Sequence, residues 1–125
     1  NNSNHIGMLA IGVPGTVAGL YKAHQELGSL PWEDLVAPAV ALARDGIPIN
    51  YSLQTGFARS ANRFRQYPSS AEKFFRADGS LYELGDTWLQ PDLSHTLELI
   101  QNNGRDGFYK GENAKKLADF MAAIV

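Results

Sequence analysis

The sequence predicts a mainly α-helical fold, a multi-helix segment with an N-terminal strand and one small β-hairpin. Three observations carry that expectation. Apolar residues recur at three- and four-residue steps through most of the chain. Glycine, asparagine and proline punctuate the ends of those runs. Strand-like patterning is confined to residues 5–13 and to the surroundings of one Asp-Gly turn.

The chain has 125 residues, about one domain, able to bury roughly two thirds of its unfolded surface. It reads as a single segment, residues 1–125, with a strand over 5–13 and a helical part over 14–125. A net charge of −2 and no basic run interleaved with aromatics argue against nucleic-acid binding. The absence of cysteine excludes disulfides and thiolate metal sites. No stretch approaches the ~20 apolar residues of a membrane span. No basic flank or cleavage site marks a signal peptide at the N-terminus.

Residues Asn1–Asn4 are polar, and His5–Val13 brings Ile6, Met8, Leu9, Ile11 and Val13 into a strand-like run. No partner strand follows nearby, so its sheet is expected in another copy or outside this chain. Gly12-Val13-Pro14-Gly15 then turns the chain into a helix from Pro14 to Leu27. Proline suits a first turn, where its missing N–H has no partner to lose. Val17, Leu20, Tyr21, His24 and Leu27 form its stripe, and Gly28 is expected as a left-handed stop.

A second helix begins near Pro31 or Trp32, with Glu33 and Asp34 favoured by the helix dipole. Its expected stripe is Leu35, Ala39, Leu42 and Ala43, with Gly46 as the stop. Pro38 should kink it near Asp34 or split it. Asn50 is an N-cap for a third helix, on which Leu53, Phe57, Ala61 and Phe64 share a face and which Pro68 ends. Ser69 to Glu72 has capping-box spacing for a short helical turn. Asp78-Gly79, between Phe74-Phe75 and Leu81-Tyr82, predicts the hairpin. Gly85-Asp86 leads as a loop to a helix opening at Pro91, with Leu93, Leu97 and Ile100 buried and Asn102 to Gly104 closing it. A short piece anchored by Phe108 and Tyr109 precedes a last helix presenting Ala114, Leu117, Met121 and Ile124. That helix has no stop signal before Val125, so both ends read as cut from a longer chain.

The punctuation has a resemblance. Gly12-Val13-Pro14-Gly15-Thr16-Val17-Ala18-Gly19-Leu20 is followed by Leu30-Pro31-Trp32, Pro38-Ala39 and Leu42-Ala43-Arg44-Asp45-Gly46. Gly85-Asp86-Thr87, the leucine-rich run from Leu93 to Ile100, and Gly107-Phe108-Tyr109-Lys110-Gly111 come later. In this order they resemble the large subunit of γ-glutamyltranspeptidases (glutathione hydrolases), from about Gly7 to Val125. The first nonapeptide and the Phe108-Tyr109 block are the most specific parts, and between Ala58 and Ala77 the likeness is loose.

The resemblance implies part of an αββα N-terminal nucleophile hydrolase. In that family a precursor cleaves itself and the new N-terminal threonine of the small subunit attacks the γ-glutamyl amide. Its own α-amine serves as base. The acyl-enzyme passes glutamate to water or to an acceptor amine. The implied partners are the small subunit, the remainder of the large subunit and a glutathione-type substrate, in a periplasmic or extracellular setting. Related acylases for other amides share the architecture, and a stand-alone helical interaction module is the non-enzymatic alternative.

No catalytic, substrate-binding or metal residue carries over. Thr16, Thr55, Thr87 and Thr96 lack the family's Thr-Thr-His context, and none of Arg44, Arg59, Arg63, Arg65, Arg76 or Arg105 matches its carboxylate-binding arginine. No cofactor is implied.

Other residues read structurally. Thr16 follows a Gly-Pro-Gly turn and is expected to help satisfy helix N–H groups. Gly12 and Gly15 lack the lysine of a phosphate loop and are expected to permit close approach of strand and helix backbones. Asp92, Ser94 and His95 hold triad residue types but crowd one helical turn. His5, His24 and His95 have no metal-ligand spacing. Glu33 with Asp34, and Asp78 with Asp86, fit dipole and turn chemistry, and Trp32 and Trp88 fit core anchors.

Overall fold

A computed structural model describes residues 10–124. The element order is α1 (Thr16–Leu27), α2 (Trp32–Asp45), β1 (Ile47–Pro48), α3 (Tyr51–Phe64), α4 (Pro68–Phe74), β2 (Thr87–Trp88), α5 (Pro91–Asn103), α6 (Asp106–Tyr109) and α7 (Gly111–Ile124). The chain divides into two units, residues 1–40 with 95–125, and residues 41–94.

The first unit is built on an indole. Trp32 opens α2, meets Tyr21 of α1 edge-on at 5.0 Å and donates its Nε1–H to the Ile100 carbonyl of α5 at 2.9 Å. That bond lets a large aromatic be half-buried without orphaning its polar handle. Gln101 Nε2 donates to the Glu33 carbonyl, a second tie between the same two helices. Gly104 ends α5 at φ +56, and a Cβ there would run into the Tyr21 ring. Gly107 of α6 is tighter still, because a Cβ would meet the main chain of Leu99 and Ile100. Only glycine lets α6 fold back on α5 this closely.

The second unit is held by an aromatic cluster. Phe57, buried on α3, packs edge-on against Trp88 at 4.9 Å and Phe74 at 5.3 Å, with Tyr82 at 6.5 Å. Phe64 stacks on Phe74 at 4.2 Å. Such pairs contribute roughly 0.5–1.5 kcal/mol each beyond the area they bury. Ala43, Ile49, Ala61 and Phe75 are also buried in this unit. β1 and β2 pair antiparallel, Ile47 opposite Trp88 and Pro48 opposite Thr87. Ile49 N–H donates to the Asp86 carbonyl at 2.7 Å, and Gln90 N–H to the Ala43 carbonyl at 3.0 Å. The first and last stretches of the unit are thus joined by main-chain bonds.

Many sequence expectations hold. Asn50 caps α3 by accepting from Leu53 N–H at 2.9 Å, and Gly46 stops α2 at φ +85. The Asp78-Gly79 turn closes a minimal hairpin with one bridge, Phe75 to Leu81, and Gly79 at φ +81.

Several expectations are corrected. Of the predicted strand 5–13, residues 5–9 lie outside the described residues, and residues 11–13 are irregular rather than strand. Pro14 precedes α1 instead of opening it. Gly28 is extended, at φ −75 and ψ 139, not left-handed; glycine is needed there because a Cβ would strike the His24 ring. Pro38 does not split α2, which runs unbroken from Trp32 to Asp45. Pro68 opens α4, so Ser69 lies inside the helix and makes no capping box. Gly85-Asp86 is a loop as expected, but the two-residue strand β2 follows it before α5.

The buried face of α2 also differs. Val40 and Ala43 are buried while Leu35, Ala39 and Leu42 are exposed. Ala43 thus follows the expected stripe, and Val40 takes the buried place expected of the leucines.

Candidate functional site

The Gly12–Leu20 and Gly107–Gly111 blocks lie far apart in sequence and meet in the first unit. Gly15 is the N-cap of α1 and has no side chain to accept a bond from the free N–H groups of the first turn. Tyr109 supplies that acceptor from α6. Its hydroxyl accepts from Ala18 N–H at 3.3 Å and donates to the Pro14 carbonyl at 2.7 Å. The Arg105 guanidinium lies 4.8 Å over the Tyr109 ring, and Phe108 packs edge-on against it at 5.0 Å. Asn113 Nδ2 donates to the Gly107 carbonyl, so α7 backs the same turn. The cap comes from Tyr109, not from Thr16 as its position suggested.

Gly12 and Gly15 are corrected as well. No described atom lies within 4 Å of a Cβ built on either, so close backbone approach is not what their positions require here. The close approaches are at Gly104 and Gly107 instead.

The residues with catalytic side-chain types have structural partners. Asp92 holds Lys73 Nζ at 2.6 Å. His95 Nε2 faces Glu112 at 3.1 Å, and Glu112 also takes Lys116 at 2.6 Å, which together hold its carboxyl below the usual range, Lys116 more strongly. Ser94 is buried and its N–H donates to the Gln90 carbonyl. His24 shares a hydrogen bond with the Leu30 carbonyl at 2.8 Å and packs on Trp32. Thr96 Oγ1 donates to Asn113 at 3.4 Å, and Thr87 belongs to β2. No hydrogen bond joins the Thr16 or Thr55 hydroxyl to a base among the described residues. His5 lies outside them.

Several arginines are similarly engaged. Arg76 pairs with Asp86, whose carboxylate also accepts from Glu83 N–H at 2.7 Å. The Glu83 amide first, and Arg76 with it, hold the Asp86 carboxyl below the ordinary carboxylate range. Arg44 pairs with Asp45, and Arg65 lies 4.4 Å over the Phe75 ring. Arg59 borders an open groove with Gln54, Thr55, Ser80, Tyr82 and Glu83. Among the described residues no three His, Asp or Glu side chains are grouped to hold a metal ion. No helix among them is long and apolar enough to cross a membrane.

A sequence model described as gamma-glutamyltranspeptidase matches residues 1–124. The chain belongs to the γ-glutamyltranspeptidase family. It is 37% identical to the glutathione hydrolase proenzyme of Pseudomonas aeruginosa, over 96% of this chain and 21% of that protein. Its fold matches the crystal structure of Helicobacter pylori γ-glutamyltranspeptidase with a TM-score of 0.92 and 34% identity, over 98% of this chain and 35% of that one. The Bacillus anthracis transpeptidase enzyme CapD matches with a TM-score of 0.80 and 36% identity, over 92% of this chain and 40% of that one. The chain thus spans about a fifth of the length of curated γ-glutamyltranspeptidase-family relatives such as the first. Both solved relatives match this fold over more than nine tenths of the chain. Sequence reasoning identified both signature blocks but not their bond. A tyrosine capping a helix 91 residues away leaves no local pattern.

Proposed function

We propose that this chain is a structural segment of the large subunit of a γ-glutamyltranspeptidase. The parent protein cleaves the γ-glutamyl amide of glutathione and related compounds. A threonine at the start of the small subunit forms the acyl-enzyme, with its own amine as base, and glutamate passes to water or an acceptor amine. This segment supplies no reacting group. Its work is to hold helices in register beside the small subunit and the rest of the large subunit, in a periplasmic or extracellular setting.

The family match over residues 1–124, set against the fifth of a relative's length that it spans, carries the reading. The side-chain partners support it, since Asp86, Asp92, Glu112, His95, Arg44, Arg65, Arg76 and Arg105 serve ion pairs, hydrogen bonds and ring contacts. Sequencing the encoding reading frame beyond Val125 tests it. A Thr-Thr-His motif downstream is the expected result, and a reading frame without one contradicts it.

The likeness to the Bacillus anthracis transpeptidase enzyme CapD favours a second reading, in which the parent chiefly transfers an acyl group from one amide to another. Assay of the parent protein with a γ-glutamyl donor, with and without an acceptor amine, separates the two.

A further inference from the structure

We draw no further inference here: the strongest candidate, the apolar groove of the first unit that Ile11, Val13 and Pro14 form with Phe108 of α6 and Leu117 and Met121 of α7, is an unpartnered apolar face, and nothing in the structure shows what covers it.

Discussion

The Tyr109 hydroxyl bridges the start of α1, accepting from Ala18 N–H and donating to the Pro14 carbonyl. It does for this helix what a serine or aspartate at the N-cap does elsewhere, with the acceptor supplied from a distant part of the chain. Gly15 can therefore stand at the cap and leave the turn after Pro14 free of a side chain.

Tyr109→Phe keeps the ring, with its Arg105 and Phe108 contacts, and removes only the hydroxyl. The expected loss is about 1 kcal/mol of unfolding free energy, the usual scale for a lost cap. Amide exchange should localise it, with Ala18 N–H exchanging faster and the amides of α3 unchanged. Unaltered exchange at Ala18 contradicts the capping role.

Gly107→Ala and Gly12→Ala separate two kinds of glycine within the signature blocks. A methyl at position 107 meets the Leu99 and Ile100 main chain, which cannot rotate away. It should cost about 1–3 kcal/mol in a denaturant titration, the scale of overpacking. A methyl at position 12 meets no described atom and should change stability by less than about 0.5 kcal/mol. Equal costs at the two positions count against the packing described here.

Phe57→Ala removes the ring on which Phe74, Tyr82 and Trp88 converge. A loss of about 3–5 kcal/mol is expected. The near-ultraviolet circular dichroism of Trp88 should weaken with it. A fully native spectrum in the variant contradicts a Phe57-centred cluster.

Asp86 makes stability depend on acid pH. Its folded-state pKa lies below its unfolded value, because the Glu83 amide and Arg76 favour the carboxylate. The folded state then binds this proton less readily than the unfolded state. Its contribution is present above the unfolded value, about 3.9, and is lost as pH falls through the folded one. Asp86→Asn should lower the thermal midpoint at neutral pH and flatten its decline on the acid side. A parallel decline in both proteins shows that Asp86 does not contribute.

What the sequence made legible follows from how local each signal is. Asn50, Gly46 and the Asp78-Gly79 turn act within a few residues, and each does what its side chain and backbone preferences dictate. The two-residue strands Ile47–Pro48 and Thr87–Trp88 are too short for alternation to show, and their pairing joins positions 39 and 41 residues apart. On α2 the spacing and size of Leu35 and Leu42 suit a core stripe, yet Val40 and Ala43 are the residues buried, a choice set by packing that no local pattern records. The partners of Asp92 and His95, Lys73 and Glu112, lie 17 to 19 residues away and leave no local pattern in the sequence.

The scaffold role is tested most directly by turnover of a chromogenic γ-glutamyl anilide with the purified 125-residue chain. No release above the uncatalysed rate is predicted, for the native sequence and for Thr16→Ala alike. Release that persists through purification and disappears in Thr16→Ala would show that the chain carries its own nucleophile and contradict the account.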